Sequence, residues 1–266
     1  MTQPPIDLLT RWAAEFGATV TAVQATYLEF TFPVFRPDGT APTYAIVAEV
    51  REDEVAAREA TPTRLPAFCP ERHINRDGTF CLGWGRADDL EVRDEETARA
   101  WWARLFKFLT LQERATRLRR WPDRRTWPHG DAAGHQFRAE WAAHRLGSPF
   151  VEDLAQGRLG VARKGHGSGG AGLQMLRDGR RLYSVWEDTR RAVNLRQRCI
   201  CIMGRASPPA VLRSCGDHAD AVVELAFALQ DRATAEAAFW AGLEGTSCCG
   251  TMDCCPLSLG LSRGAE

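Results

Sequence analysis

The spacing of apolar residues in the first part of the chain predicts one helix followed by paired strands. Apolar side chains recur every three or four positions from Ile6 to Phe16, and Gly17 follows where such a helix would end. Apolar and polar residues then alternate from Leu28 to Val34 and from Tyr44 to Val50. A Pro-Asp-Gly sequence separates these two segments, so the pattern predicts two antiparallel strands joined by a turn.

Helical spacing returns further along the chain. It predicts a long helix around Trp102 to Leu109 with Asp94 as its cap, and a short helix around Phe137 to His144. Trp101 and Trp102 are adjacent and therefore point to different faces of the first of these helices, so at most one is expected to be fully buried in the core.

The last part of the chain repeats the strand and helix signals. A hairpin is predicted around the Asp178-Gly179 turn, and a helix over residues 217–243. Helices mixed with strand pairs predict an α+β fold.

Composition narrows the range of functions. The 266 residues include 34 basic and 34 acidic side chains, so global charge does not indicate nucleic acid or an anionic membrane as a partner. We find no apolar run long enough to span a bilayer and no leader pattern, so we expect a cytoplasmic protein. In that reducing compartment the nine cysteines are expected to be metal ligands, catalytic groups or buried apolar residues rather than disulfides.

The cysteines are distributed unevenly, which predicts two domains. Seven of the nine follow residue 198. We predict an N-terminal domain over 1–146, a glycine-rich linker or loop over 147–172, and a smaller cysteine-rich α+β domain over 173–266. The glycine pattern at 167–172 also matches a dinucleotide-binding loop, but no helix is predicted directly after it, which favours the linker.

The segment from Pro66 to Leu82 holds the strongest catalytic candidate. It contains Asn75, an Asp77-Gly78 turn and Cys81 within seven residues, and the turn favours folding Asn75 back towards the cysteine. A cysteine thiol is nucleophilic near neutral pH, and an amide side chain can stabilise the oxyanion formed when an amine attacks a thioester. We therefore interpret Cys81 as a nucleophile; the alternative is a small buried apolar residue.

Other polar residues near this segment have weaker assignments. His73 can activate Cys81, act on an incoming amine, or brace the loop through backbone hydrogen bonds. Asp77 can orient or deprotonate an amine, or it can be a solvated turn residue. His129 can pair with Cys81 if its turn returns to the site. Cys69 stands between apolar residues and is expected to fill the core or the loop.

The cysteines of the last third suggest a metal site. Three cysteines and a histidine cluster first, and two adjacent cysteine pairs follow. Their number suffices for one or two structural zinc ions; buried thiols and redox or acyl-carrying roles are the alternatives. The candidate ligands are Cys199, Cys201, Cys215, His218, Cys248, Cys249, Cys254 and Cys255.

The cysteine segment resembles the ubiquitin-conjugating enzymes, in particular their bacterial relatives. The likeness rests on Pro62, Pro66, Gly78, Cys81 and Leu82, and on His73-Ile74-Asn75, where the family has His-Pro-Asn. Downstream, Trp101-Trp102, Gln112, Trp121-Pro122, His129-Gly130 and Gly134 follow in the family's order, so the likeness covers about residues 1–145. A second likeness, to the cysteine-rich domain associated with bacterial conjugating enzymes, rests on Cys199-Ile200-Cys201 and residues 248–257.

The resemblance implies a fold and an activity. It implies a helix, an antiparallel meander, the cysteine loop and further helices, with Cys81 at the thioester-forming position and Asn75 at the oxyanion position. It also implies a ubiquitin-like modifier, an activating enzyme that consumes ATP, and a target protein, within a bacterial system of the kind associated with antiphage defence. No catalytic cofactor is then needed.

Two other functions remain open from the sequence. A cysteine hydrolase using Cys81 and His129 would release a modifier rather than carry it. A noncatalytic zinc-binding adaptor would keep its partners and its metal without Cys81.

Overall fold

The computed structural model describes residues 3–52, 54–123, 125–167, 170–201 and 207–260. Internal contacts divide the chain into two compact units. Unit 1 comprises residues 1–123 and 243–266, and unit 2 comprises residues 124–242. None of the helices in the described part of the chain combines the length and apolarity that crossing a bilayer requires.

Unit 1 begins with helix α1, Pro5–Trp12, extended by a 3₁₀ turn at Ala13–Phe16. Gly17 ends the helix in the left-handed conformation (φ 79°), as the sequence predicts. Four antiparallel strands follow in the order of the chain: β1 Thr19–Val23, β2 Tyr27–Pro33, β3 Thr43–Arg51 and β4 Glu54–Glu59. The predicted pairing of the second and third is confirmed, with Phe30 opposite Ile46.

Helix α2, Glu95–Leu118, covers the apolar face of this sheet. Asp94 caps it as predicted: its carboxylate accepts a hydrogen bond from the Thr97 amide at 2.8 Å, and the Asp94 backbone N–H donates to Thr97 Oγ1 at 3.0 Å. The cap fixes where the helix begins.

Both tryptophans of α2 are buried, so the expectation that only one faces the core is wrong. Trp101 donates its indole N–H to Val55 O on β4 at 2.8 Å, and Trp102 donates to Leu9 O on α1 at 3.0 Å. Different faces of the helix point towards the sheet and towards α1, and each tryptophan takes one of them. Each ring removes roughly 200 Å² from water, which is worth about 5 kcal/mol before entropy costs.

A buried arginine joins the cysteine segment to α2. Arg72 lies in a 3₁₀ turn, Pro70–Arg72, and is 1% exposed. Its guanidinium donates to Gln112 Oε1 at 2.7 Å, Gln112 O at 3.1 Å and Thr116 Oγ1 at 2.9 Å. Gln112 is fully buried and returns a bond from its amide to Arg72 O at 2.6 Å. The interaction fixes both the backbone and the side chain of Arg72 at the start of the segment.

Unit 2 packs helices on a second four-stranded antiparallel sheet. The helices are α3 Ala132–Leu146, α4 Ser148–Ala155 and α5 His218–Ala241. The strands are β5 Leu159–Gly167, β6 Gly170–Arg177, β7 Arg180–Trp186 and β8 Arg191–Ala192. The predicted hairpin between β6 and β7 and the predicted long helix α5 are confirmed.

The helix predicted around Phe137 and Trp141 is present as α3, but these two residues are not its buried face. They are 45% and 55% exposed. The buried stripe consists instead of Ala139, Ala142, Ala143 and Leu146. Small alanine side chains allow α3 to approach α5 closely, whereas the two large aromatic side chains lie outside this packing face.

The structure differs from the predicted linker at 147–172. That range contains α4 and β5, and β5 pairs with β6 along its length from Leu159↔Arg177 to Gly167↔Gly170. The glycine pattern therefore lies between two antiparallel strands, not between a strand and a helix as a dinucleotide loop requires; residues 168 and 169 are outside the described residues. The pairing depends on a partner strand, which glycine-rich composition does not reveal.

The C-terminal segment also departs from the predicted division. Residues 243–266 belong to unit 1, and helix α6, Pro256–Gly260, lies within them. Arg119 at the end of α2 holds this segment through Asp253 at 2.5 Å and through Gly250 O at 3.0 Å. Long-range ion pairs and thiol packing place the segment, and local sequence patterns do not carry that information.

We predict that the Arg72 interaction is a major contributor to the stability of unit 1. Gln112→Ala should lower the free energy of unfolding by about 3 kcal/mol, because it removes the side-chain acceptor of a buried guanidinium and the donor to the Arg72 carbonyl. Urea denaturation followed by tryptophan fluorescence measures the change. Arg117→Ala, an exposed position on the same helix, should stay within about 0.5 kcal/mol of wild type; equal losses in both variants would contradict the prediction.

Candidate functional site

A tight hairpin carries the candidate site. Asn75 N donates to Thr79 O at 2.8 Å, Gly78 N donates to Asn75 O at 3.0 Å, and Gly78 adopts φ 79°. The carboxylate of Asp77 accepts from Thr79 N at 3.1 Å and from Thr79 Oγ1 at 2.6 Å. The Asp-Gly turn therefore reverses the chain, as the sequence predicts.

The hairpin is attached to the edge of the first sheet. Phe80 N donates to Ala57 O on β4 at 2.8 Å, and Thr79 forms a bridge with Arg58. Cys81 N then donates to His73 O at 2.9 Å. The hydrogen bonds at Phe80 and Cys81 thus fix the backbone that carries the Cys81 side chain.

Cys81 and Asn75 line one cleft of about 620 Å³. The Cys81 thiol is partly buried and lies 3.7 Å from Gly83 O. The cleft is bounded by Arg51, Glu52, Glu54, Val55, Ala56, Asn75, Thr79, Phe80, Cys81, Leu82, Gly83, Leu90 and Trp101. The sequence predicts that the turn folds Asn75 back towards Cys81, and both residues line this cleft.

Burial raises the pKa of the Cys81 thiol above its ordinary value. The backbone of Gly83 opposes this effect, whereas the negative charge of Asp88 adds to it. The thiol is therefore mostly protonated at neutral pH, and the site does not depress its pKa as an oxidoreductase site would.

Asn75 is exposed at the turn and oriented by one hydrogen bond. Its Nδ2 donates to Thr79 Oγ1 at 3.0 Å. A primary amide carries two N–H donors. One of them donates to Thr79, and the second can donate to a ligand in the cleft.

His73 lies in the wall of the hairpin rather than in the cleft. It is 8% exposed, adopts the left-handed conformation (φ 55°), and its ring packs on Trp121 with centroids 4.9 Å apart. Its carbonyl accepts the Cys81 amide. These contacts match the bracing alternative among its predicted roles.

Asp77 is a turn residue held as a carboxylate. It pairs with Arg51 at 2.5 Å. Burial raises its pKa, but hydrogen bonds from Thr79 and Arg51 outweigh that effect and lower the pKa of Asp77 to about 2. Near neutral pH it is a weak base, so its described contacts favour the structural alternative.

His129 lies in unit 2 and is held by α5. Its Nδ1 is 2.6 Å from Glu236 Oε1, and its backbone N donates to Glu236 Oε2 at 3.1 Å. The ring stacks on Phe239 at 4.7 Å and meets Trp240 edge to face. The imidazole is thus oriented by contacts within unit 2.

Four of the eight predicted metal ligands converge in unit 2. The ligand atoms of Cys199, Cys201, Cys215 and His218 all lie within 4.8 Å of one another. Cys201 Sγ is 3.4 Å from Cys215 Sγ, and Cys199 Sγ is 3.3 Å from His218 Nδ1. A tetrahedral zinc ion spaces its sulfur ligands by roughly 3.8 Å.

Several elements build this Cys3His cluster. Arg198, which precedes Cys199, forms an antiparallel β-bridge with Val211. Cys215 follows the 3₁₀ turn Leu212–Ser214, and His218 is the first residue of α5. The three cysteines are buried. Three thiols and one imidazole are a donor set that zinc prefers, so these residues fit a structural zinc ion.

The other four predicted ligands lie in unit 1. Cys248 and Cys249 pack against a buried cluster that contains Cys69 and Cys255. Cys254 is exposed. The structure therefore does not bring these cysteines into the Cys3His cluster, and it places Cys69 among them.

Charge distinguishes Cys249 from the other thiols. A hydrogen bond from Cys69 lowers the pKa of Cys249, and burial raises it. Hydrogen bonds from Thr251 and the positive charge of Arg72 lower it further, so the pKa of Cys249 is about 5. The same contact raises the pKa of Cys69. Sequence reasoning placed Cys69 in the core, which its 1% exposure bears out, but did not find its sulfur partner.

Comparison with known families agrees with this architecture. Residues 16–123 match the prokaryotic E2 domain, and residues 128–257 match the cysteine-rich domain that lies C-terminal to E2 domains. Together the two matches span most of the chain. The chain carries a prokaryotic E2 domain followed by a cysteine-rich domain. Neither a curated protein nor a solved structure gave a significant match.

The domain matches and the compact units overlap without coinciding. The E2 match contains the whole Cys81 hairpin. The cysteine-rich match contains the Cys3His cluster in unit 2 and also the four C-terminal cysteines, which pack in unit 1. The protein therefore uses the end of its cysteine-rich domain to complete the E2 unit.

We predict that alkylation of Cys81 follows a raised pKa. The rate of reaction with iodoacetamide should rise with pH and reach half its maximum above the value of an ordinary cysteine. Asp88→Asn should lower that midpoint and speed alkylation at pH 8 about threefold, because it removes a negative charge that disfavours the thiolate. The tryptic peptide Asp77–Arg86, which contains a single cysteine, reports the reaction by mass spectrometry.

Asp89→Asn provides the matched control for this experiment, because Asp89 is exposed and pairs with Arg93. It should leave the midpoint unchanged. A midpoint below that of free cysteine in the wild type would contradict the assignment.

We predict that the Cys3His cluster holds one zinc ion per chain. Cys201→Ser should reduce the zinc content measured by elemental mass spectrometry to a small fraction of the wild-type value, because it removes a thiolate ligand. Cys254→Ser, at an exposed cysteine in unit 1, should retain the wild-type content. Retention of zinc in Cys201→Ser would contradict the assignment.

Proposed function

We propose that this protein carries a ubiquitin-like modifier as a thioester on Cys81 and transfers it to an amine or thiol. The observation that carries the proposal is that Cys81 and Asn75 line one cleft at the end of a braced hairpin. An E2 domain in general works with a modifier protein and an activating enzyme. The activating enzyme would consume the ATP, so no nucleotide site is required in this chain.

Loading would proceed by exchange between thioesters. The Cys81 sulfur attacks the carbonyl carbon of the modifier's C-terminus on the activating enzyme, whose thiolate leaves and takes up the proton lost by Cys81. The raised pKa of Cys81 slows this step at low pH, since the thiolate is the attacking species.

Transfer to the target would use Asn75. An attacking amine turns the thioester carbonyl into an oxyanion, and the second N–H of the Asn75 amide can donate to it while Thr79 holds the first. The Cys81 thiolate then leaves and recovers a proton that the amine loses. His73 and Asp77 would support this step indirectly, by fixing the backbone of Cys81 and the shape of the turn.

The composition of the cleft suits a cationic acceptor. Glu52 and Glu54 line it beside Cys81. Carboxylates attract a protonated lysine side chain and raise its local concentration. We therefore propose a target lysine as the preferred acceptor, with a thiol as the alternative.

The cysteine-rich domain would serve recognition rather than chemistry. Its Cys3His cluster is compatible with structural zinc, which would hold the Cys199 segment against α5. We propose that this domain selects the target or the modifier within a bacterial conjugation system, of which antiphage defence is one setting.

The test is formation of a reductant-sensitive adduct. The protein is incubated with its modifier, activating enzyme and ATP, and analysed on a nonreducing gel. We expect an adduct that reductant removes, that is absent in Cys81→Ala, and that resists reductant in Cys81→Ser, where an oxyester forms. Cys254→Ser is the matched control, because Cys254 is an exposed cysteine of the same unit, and it should still load.

Asn75→Ala separates the two steps. It should load normally but discharge to free lysine about 100-fold more slowly, because it loses an oxyanion donor. If an activated modifier forms no adduct, the thioester proposal fails. Release of modifier without activating enzyme would then support the hydrolase, and retained partners and metal in Cys81→Ala would support the adaptor.

A further inference from the structure

Four cysteines from distant parts of the sequence meet in one cluster of unit 1. Cys69 comes from the segment before the hairpin, and Cys248, Cys249 and Cys255 come from the C-terminal segment. Met252 completes the buried cluster, and Trp121 packs against it. Cys69 and Cys255 are each 1% exposed.

The thiols of this cluster lie close enough to influence one another in pairs, Cys69 with Cys249 and Cys248 with Cys255. In the Cys3His cluster, by contrast, all four ligand atoms converge within 4.8 Å. Among the described residues the four cysteines of unit 1 form no comparable converging set. Pairwise contacts suit bonds between two sulfurs, whereas a metal ion requires convergence of several.

The backbone around each member of the first pair is fixed. Cys69 exchanges two hydrogen bonds with Ile74, at 3.2 and 3.0 Å. Cys249 Sγ is 3.1 Å from Thr251 Oγ1, and Arg119 holds the neighbouring Gly250 through its carbonyl at 3.0 Å. The surrounding structure therefore fixes the position of each member of this pair within the cluster.

The two thiols differ in access. Cys249 is partly exposed and Cys69 is buried. A reagent in solution therefore reaches Cys249 first, and Cys69 is positioned behind it to attack the product. This division corresponds to an attacking and a resolving cysteine.

We propose that Cys69 and Cys249 are a reversible dithiol that closes to a disulfide linking the C-terminal segment to the cysteine segment. The oxidant is a small-molecule disulfide such as oxidised glutathione. The sulfur of Cys249 attacks one sulfur of the oxidant and releases one thiol. The sulfur of Cys69 then attacks Cys249 in the mixed disulfide and releases the second thiol, and each leaving thiolate takes the proton that the attacking cysteine loses.

This reaction is independent of the thioester proposal. It uses neither Cys81 nor a modifier, and both cysteines lie within unit 1. The bond would join positions about 180 residues apart in the sequence, so it should also restrict the unfolded chain strongly.

The test is disulfide mapping of the full chain across glutathione redox buffers. After acid quenching and blocking of free thiols, a nonreducing tryptic digest is analysed by mass spectrometry. We expect a species joining peptide Leu65–Arg72 to peptide Ala233–Arg263, with fragmentation spectra placing the bridge at Cys249. Oxidation should also raise the unfolding midpoint of the wild type by about 5 °C or more.

Matched variants locate the bridge. Cys249→Ser and Cys69→Ser should each abolish the linked species and the rise in the midpoint, whereas Cys254→Ser should keep both, because Cys254 is exposed and outside the cluster. The wild-type map stands without the variants if Cys69→Ser does not fold.

Three results would overturn the proposal. One is absence of the linked species in wild type even in fully oxidised glutathione. Another is a bridge distributed equally over Cys248, Cys249 and Cys254. The third is a second zinc ion in the wild type that Cys69→Ser removes, since the cluster would then be a metal site.

Discussion

The buried contact between Arg72 and Gln112 is the constraint on which the functional segment depends. A fully buried glutamine on α2 binds both the guanidinium and the carbonyl of Arg72, so it fixes a side chain and the backbone at once. His73 follows directly and accepts the amide of Cys81. The position of Cys81 is therefore set by a helix that itself packs on the sheet.

Two thiols of unit 1 have opposite electrostatic surroundings. The charge of Arg72 helps lower the pKa of Cys249, whereas burial and the charge of Asp88 raise the pKa of Cys81. A low pKa increases the thiolate fraction of a cysteine, and a high pKa keeps the thiol protonated and less prone to oxidation. Local charge and burial thus give cysteines of one compact unit different reactivity.

Short-range signals in the sequence were sufficient for most elements of secondary structure. Gly17, Asp94 and the Asp77-Gly78 turn act within a few residues of their own position, and the structure contains the cap or turn that each predicts. The alternation along β2 and β3 reports burial on one face and needs no knowledge of the partner.

Features that depend on distant partners could not be predicted in this way. The glycine-rich composition of β5 does not predict a strand, because the segment is a strand through its pairing with β6. The buried face of α3 consists of alanines, which carry little apolar signal. The cluster of Cys69 with the C-terminal cysteines joins positions about 180 residues apart, which local sequence patterns do not report.

The C-terminal segment of the cysteine-rich domain packs in unit 1, so this domain contributes residues to both compact units. Its eight candidate ligands serve two structures: four converge around the start of α5, and the others pack in unit 1, three of them against the segment that precedes the Cys81 hairpin. A zinc ion at the first set would stabilise unit 2 alone. Loss of the C-terminal cysteines would instead expose Cys69 and weaken the support of His73 through Trp121, which packs on both. The end of the cysteine-rich domain is therefore part of the same compact unit as the E2 domain.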